Sequence, residues 1–184
     1  MSLVILDRDG VINFDSKDHI RKPDEWEAIP GSLEAIAKLS RADFRVIVAT
    51  NQSGIGRGLF DIGALNLIHQ KMTAQVREKG GWIDAIFFCP HTPEKNCTCR
   101  KPKPGLLLEA GERLHTPLHG VPFVGDSRSD IAAAHSAGAQ PILVKTGNGL
   151  ATYAELLKSR QNNFPDVKTY ENLSAFVESL ISAH

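Results

Sequence analysis

The sequence predicts an α/β fold in three layers, a doubly wound and mostly parallel sheet with helices on both faces. Three observations carry that prediction. Short apolar runs closing in polar or glycine-rich turns recur along the chain, segments with helical spacing lie between them, and the runs are apolar throughout rather than alternating. A strand that is apolar on both faces needs cover on both, and a parallel sheet obtains it from its crossover helices.

In chain order the predicted strands are residues 3–7 (LVILD), 44–50 (FRVIVAT), 85–89 (AIFFC), 121–126 (VPFVGD) and 141–147 (PILVKTG). Between them, Leu33, Ile36, Ala37 and Ser40 share one helical face, and Leu65, Ile68, Met72 and Val76 share another. A third helix starts at Pro104-Gly105 and carries Leu106, Leu108, Glu109 and Leu114 at helical spacing. Residues 128–138 form a helix stopped by Gly138, and residues 171–184 form a closing helix. The polar stretch SRQNNFPD, residues 159–166, reads as a surface loop before that last helix.

A chain of 184 residues, 42% hydrophobic, is long enough for one well-covered core, so residues 1–184 are expected to form a single domain. Its 21 basic and 21 acidic side chains cancel, which removes the general basic field that drives binding to nucleic acid or to an anionic membrane. The opening MSLVILD has too short an apolar run for a signal peptide, and no apolar stretch approaches the roughly 20 residues that span a bilayer. A cytoplasmic monomer acting on a small molecule, with no nucleic-acid or membrane partner, is therefore expected. In that compartment thiols stay reduced, and clustered cysteines hold metal more often than they form disulfides.

Candidate chemistry sits at the strand ends, because open α/β sheets bind ligands beyond the carboxyl ends of their strands. The first end gives DRDGVIN with Asp7 and Asp9; the second gives TNQSGIGRG, where Thr50 and Ser53 offer hydroxyls and Asn51, Gly54 and Gly56 offer donors that suit an anion. A later end gives GDSRSD, with Asp126 and Asp130. Three carboxylates gathered by the fold repel one another, and a divalent cation resolves the conflict. Oxygen ligands with room for water and phosphate suit Mg²⁺, which neutralises phosphoryl charge and lets a carboxylate attack.

The remaining strand end leads into CPHTPEKNCTCRK, residues 89–101, which contains every cysteine of the chain. Cys89, His91, Cys97 and Cys99 supply four ligands and fill a tetrahedral zinc shell with no open position, so the zinc is expected to be structural. A Cys97 to Cys99 disulfide would close a strained ring. Zinc pins the loop 89–99 and fixes the backbone just before Arg100 and Lys101, which then face the phosphate site. Lys101 is the candidate for stabilising the phosphoryl group and Arg100 for gripping substrate, while Lys103 reads as a solvated residue at a helix start.

Taken in order, DRDG, TNQSGIGRG, RK before a helix and GDSRSD resemble the motifs of the haloacid dehalogenase (HAD) superfamily of aspartate-nucleophile phosphatases, over Leu3 to about Gly147. The resemblance implies that Asp7 attacks phosphorus, and that Asp9 protonates the leaving oxygen and then activates water. It also implies that Thr50 and Lys101 hold the phosphoryl group, and that Asp7, Asp126 and the backbone carbonyl of Asp9 hold Mg²⁺. Asp130 would orient the loop or a metal-bound water. Asp9 to Thr50 spans only 42 residues inclusive, too few for an inserted cap domain in that gap. The open site implied is suited to a sizeable polar substrate, a sugar bisphosphate or alternatively histidinol phosphate. Its candidate contacts are Arg8, Asp15, Ser16, Lys17, Asp18, Asn51, Gln52, Ser53, Arg100 and Ser127. From another class, the rival reading is a zinc-loop binding module on an inactive scaffold. His19, His69, His115, His119, His135 and His184 show no ligand spacing and read as surface or satisfied side chains.

Overall fold

The first apolar run forms β1 (Ser2–Leu6), followed by α1 (Ser32–Arg41), β2 (Phe44–Asn51), the single turn α2 (Ser53–Gly56), α3 (Ile62–Glu78) and β3 (Ala85–Cys89). The second half contributes α4 (Gly105–Arg113), β4 (Pro122–Gly125), α5 (Arg128–Ala137), β5 (Gln140–Val144), α6 (Gly149–Lys158), β6 (Lys168–Tyr170) and α7 (Leu173–Ser182). The computed structural model describes residues 2–158 and 167–183. The loop expected over residues 159–166, and His184, lie outside the described residues.

All six strands join one sheet in the order β3-β2-β1-β4-β5-β6, and every neighbouring pair is parallel. Leu6 stands opposite both Val48 and Val124, so Asp7, Thr50 and Asp126 leave the sheet along the same edge. Strand order reverses direction between β1 and β4, and at such a switch the connections diverge and leave a crevice beyond the strand ends.

The uninterrupted apolar runs are explained by cover on two faces. On one, Val4, Leu6, Val46 and Val48 pack against Ile36 and Leu39 of α1, Ile68 and Met72 of α3, and Phe176 and Val177 of α7. On the other, Leu3, Ile5, Ile47, Ala49 and Phe123 meet Leu106, Leu107 and Ala110 of α4 and Ala133 and Ala134 of α5. Each fully buried aliphatic side chain contributes about 1.5–3 kcal/mol, so these two layers fix which way the strand ends point. Side-chain caps set the helix starts: Asp61 accepts the Ala64 N–H at 2.8 Å before α3, and Asn172 accepts that of Ala175 at 2.9 Å before α7. Gly138, at φ +74°, ends α5 as its sequence position predicts.

Several elements differ from the sequence expectation. The buried face of α4 is Leu106, Leu107, Ala110 and Gly111, whereas Leu108, expected on the inner stripe, is 48% exposed. Leu107 takes the place because it shares a face with Ala110 and Gly111. Unanticipated elements are α2, α6 and β6. Among the residues of α6 only Gly149 and Thr152 are buried, and β6 is a three-residue edge strand, so neither carries a strong apolar pattern. Between β1 and α1 the described chain has a loop with one 3-10 turn, Pro23–Glu25, and no inserted folded unit covers the strand ends. No described helix is long and apolar enough to cross a membrane.

The corrected face of α4 has a direct consequence for stability. Leu107→Ala is expected to cost about 2–5 kcal/mol in urea unfolding, and Leu108→Ala less than about 0.5 kcal/mol. Comparable losses at the two positions would contradict the packing described.

Candidate active site

Beyond the ends of β1, β2 and β4 lies a cleft of about 360 Å³. Among its lining residues are Asp7, Asp9, Thr50, Lys101 and Asp126, together with Asp15, Ser16, Lys17, Asn51, Gln52, Ser53, Arg100 and Ser127. Thus the fold brings together most residues singled out from sequence. His19, Ile20, Ser129 and Asn148 line it as well and were not anticipated.

Local backbone geometry explains how the first motif reaches the cleft. The Asp7 N–H donates to the Val124 carbonyl at 2.8 Å, which anchors it between β1 and β4. The Arg8 carbonyl then accepts the Ile12 N–H at 2.8 Å, so the chain turns back at once, through Gly10 at φ +79°. A Cβ at Gly10 would stand 2.1 Å from Asp126 Oδ2, and one at Gly147, φ +57°, would stand 2.3 Å from the same atom. Two glycines from opposite ends of the chain therefore flank the Asp126 carboxylate. Asn148 completes the cradle, donating its backbone N–H to Asp126 Oδ2 at 2.7 Å and its side-chain Nδ2 at 3.2 Å.

Lys101 is the one buried ammonium of the cluster. Its Nζ lies 2.9 Å from Asp7 Oδ1 and 2.7 Å from Asp130 Oδ1, and donates to the Ala49 carbonyl at 3.0 Å. Burial drives the Asp7 carboxyl well above the usual carboxylate range; Lys101 opposes this, while Asp130 and Asp126 add to it. Asp126 is pushed up to about 7 by burial and then by Asp130. Burial lowers Lys101, and Asp130 and Asp7 outweigh it, holding the ammonium charged well above its ordinary value. Carboxylate oxygens of Asp7, Asp126 and Asp130 lie within 4.8 Å of one another. Three carboxylates against one ammonium leave an excess of negative charge, and an all-oxygen donor set of this kind fits Mg²⁺.

Asp130 sits behind Lys101 rather than on the cleft wall. Its Oδ2 accepts the backbone N–H groups of Asp126 at 3.2 Å and Ser127 at 3.0 Å, and Ser127 Oγ in turn caps α5. Asp9 is held differently. Its oxygens receive the Arg8 fork (Nε at 3.0 Å, Nη2 at 2.9 and 3.0 Å), Asn13 Nδ2 at 2.9 Å and Gln52 Nε2 at 2.9 Å. Burial raises Asp9, but the Arg8 charge and these hydrogen bonds outweigh it and keep the carboxyl below its ordinary value.

Two expected substrate contacts need correction. Arg8 is 0% exposed and absent from the cleft wall: its guanidinium turns inward onto Asp9 and reaches His69 Nε2 at 3.2 Å. A buried cation needs a buried partner, and the neighbouring Asp9 claims it. Asp18 also lies off the cleft wall, exposed, with its carbonyl accepting from Arg21 Nε at 2.8 Å.

The zinc loop has the donor geometry its sequence implies. Cys89, Cys97 and Cys99 are free thiols with Sγ–Sγ separations of 3.3, 3.5 and 3.6 Å, and His91 Nδ1 lies 3.5 Å from Cys89 and 3.4 Å from Cys99. Tetrahedral Zn–S bonds of about 2.3 Å place sulfurs roughly 3.8 Å apart, so the four atoms fit a zinc ion with a small expansion. The loop is tied to the cleft by Asn51, whose Nδ2 donates to the Lys101 carbonyl at 3.0 Å while its Oδ1 accepts the Lys101 N–H at 3.2 Å. Arg100 donates back to the His91 carbonyl at 3.3 Å. Lys103 is tied down too, its Nζ donating to the backbone carbonyl and side chain of Asn96.

The buried imidazole of His69 carries a pH signature. Burial first, then the Arg8 charge, lowers it to about 3, against 6.5 for a free histidine. Between those values the unfolded chain binds a proton that the folded chain does not, so stability falls as pH drops below about 6.5. Relative to a His69→Gln variant, the protein is expected to lose about 1 kcal/mol more stability between pH 7 and pH 5.5. Urea unfolding at the two pH values measures this, and parallel losses would show that His69 is protonated in the fold.

Comparison with known proteins agrees with this architecture. A HAD-hydrolase-like family model matches residues 98–170. D-glycero-β-D-manno-heptose-1,7-bisphosphate 7-phosphatase of Bordetella bronchiseptica is 50% identical over 182 residues, covering 98% of each chain. The same-named protein of Escherichia coli K12 is 36% identical over 160 residues, covering 83% of each chain. A crystal structure of the D,D-heptose 1,7-bisphosphate phosphatase of B. bronchiseptica, complexed with magnesium and phosphate, superposes with a TM-score of 0.94 at 50% identity over 100% of both chains. This chain belongs to the D-glycero-β-D-manno-heptose-1,7-bisphosphate 7-phosphatase family of HAD-like hydrolases.

Proposed function

We propose that the protein removes the 7-phosphate of D-glycero-β-D-manno-heptose 1,7-bisphosphate, a step toward the ADP-heptose precursor of lipopolysaccharide. The observation that carries the reading is the Asp7 carboxylate at the end of β1, facing the cleft and sharing Lys101 with Asp130 beside Asp126. Similarity over 98% of the chain to a phosphatase of that name supports the substrate.

Asp7, Asp126 and the Asp9 carbonyl are the groups that would hold Mg²⁺, which supplies charge neutralisation at the phosphoryl oxygens. An oxygen of Asp7 bonds to phosphorus as the bond to the sugar oxygen breaks, giving an aspartyl-phosphate. Asp9 gives its proton to the departing sugar oxygen. A phosphate dianion nearby raises the affinity of Asp9 for that proton, against the pull of Arg8. In the second half, Asp9 takes a proton from water as the water oxygen bonds to phosphorus and Asp7 is released. Lys101 spends its donors on Asp7, Asp130 and the Ala49 carbonyl, and the donor facing Asp7 is the one a phosphoryl oxygen takes over as Asp7 reacts. The Thr50 hydroxyl, which accepts from Gln52 Nε2 at 3.0 Å, adds a donor on the cleft wall. Lys17 and Arg100, both lining the cleft, suit the second phosphate of a bisphosphate. We read residues 1–184 as one domain and the protein as a cytoplasmic monomer without nucleic-acid or membrane partners, on its balanced charge.

Phosphate release from a substrate panel tests this. The β-anomer of the heptose bisphosphate is expected to show the highest kcat/KM, above its α-anomer and above histidinol phosphate, and Asp7→Asn to lose at least roughly a thousandfold. Equal or faster turnover of histidinol phosphate would move the substrate assignment. Zinc is tested separately: a zinc-selective chelator, with Mg²⁺ held in excess, should lower melting temperature and activity together, because the loop that carries Lys101 loses its pin. Unchanged stability in zinc-free protein would remove the structural role.

A further inference from the structure

Behind the cleft, the chain Asp9–Arg8–His69 links the reacting loop to the middle of α3. Arg8 places Nε and Nη2 on the Asp9 carboxylate at 2.9–3.0 Å, and its remaining terminal nitrogen, Nη1, lies 3.2 Å from His69 Nε2. A guanidinium is planar and rigid, so a contact at Nη1 fixes the plane of the fork that meets Asp9 at the other end. His69 itself is well anchored. It is 8% exposed, borders a shallow cleft with Asn66, Thr73 and Ile86, and its ring meets Phe88 of β3 edge-on, with centroids 6.5 Å apart. Arg8 donates and cannot accept, so Nε2 must carry the lone pair and the imidazole its proton on Nδ1. The other sides of the Asp9 carboxylate are met by Asn13 and Gln52.

We infer that His69 is a positioning residue for the phosphatase reaction, acting through Arg8 to fix the plane in which the Asp9 carboxylate presents its oxygens to the leaving group. The inference rests on the reading of Asp9 as acid and base. A purely structural His69, present only to satisfy a buried Arg8 N–H, would affect every substrate alike. A positioning His69 matters where proton delivery matters. Breaking the bond from phosphorus to a sugar oxygen needs the Asp9 proton on that oxygen as it departs, whereas p-nitrophenolate is a far weaker base and leaves without one.

The experiment compares kcat/KM for the heptose bisphosphate with kcat/KM for p-nitrophenyl phosphate, using Mg²⁺-loaded protein. That parameter runs through enzyme phosphorylation, the step in which the leaving group departs. The ratio of the two is expected to fall at least about tenfold in His69→Leu and in Arg8→Lys, which lacks the fork, and further in Asp9→Asn. His69→Gln keeps an acceptor oxygen for Arg8 and is expected to restore the ratio to within about threefold of wild type. Equal losses on both substrates in His69→Leu and Arg8→Lys, with Asp9→Asn still selective, would overturn the inference and leave the role of Asp9 standing. Equal losses in Asp9→Asn would instead overturn the acid reading of Asp9, and the inference with it. Should His69→Leu fail to fold, Arg8→Lys and His69→Gln decide the matter.

Discussion

One buried ammonium set against three buried carboxylates is the constraint around which this molecule is organised. Lys101 bonds Asp7 and Asp130 directly, while Asp126 stands beside them without a cation of its own. Burial leaves all these charges poorly solvated, and neutralisation by one lysine is incomplete. The arrangement is costly to hold empty and favourable once a divalent cation enters, and that asymmetry suits it to a metal better than to a structural ion pair. It also sets Asp7 close to a group that can later stabilise phosphoryl oxygens.

The rest of the fold serves to gather groups that repel. Parallel strands β1 and β4 end side by side, Leu6 opposite Val124, and deliver Asp7 and Asp126 to the same edge at the switch point, while the capping box of α5 spends Asp130 on backbone N–H groups as well as on Lys101. Gly10 and Gly147 leave room for the Asp126 carboxylate that a side chain would fill. Lys101 arrives on a loop with few apolar contacts of its own, and the four thiol and imidazole donors supply the rigidity that a core would otherwise give. Asn51 closes the connection by bonding the Lys101 backbone in both directions. The two donor sets thus suit complementary parts, one for a cation that would balance charge and the other for a cation that would fix the residue sharing in that balance.

Much of this was legible in the sequence because it depends on order and residue type. Apolar runs without alternation gave the parallel sheet, and aspartates at strand ends gave the carboxylate cluster. Pairing in space was less legible. Arg8 looks like a cleft residue because it stands between two that are, yet side chains alternate in direction, and its guanidinium goes inward to Asp9 and His69. His69 lies 61 positions away with no ligand spacing, so no local pattern connects it to the motif. Asn148, in a turn, and Asn13, in an isolated bridge, are similar cases, polar residues whose partners become visible only in three dimensions. The inner face of α4 was misjudged because a leucine run offers several stripes and the neighbours choose among them.

The most direct test of the central claim is thermal unfolding at pH 8 of the wild type and Asp126→Asn, each with and without Mg²⁺. At a hundredfold excess over its dissociation constant, a ligand of the native state stabilises by about 2.7 kcal/mol. The account predicts that Mg²⁺ raises the melting temperature of the wild type but not of the variant. Without the ion, the variant should melt no lower than the wild type, because one repelling carboxylate is gone. Equal Mg²⁺ shifts in the two proteins would contradict it.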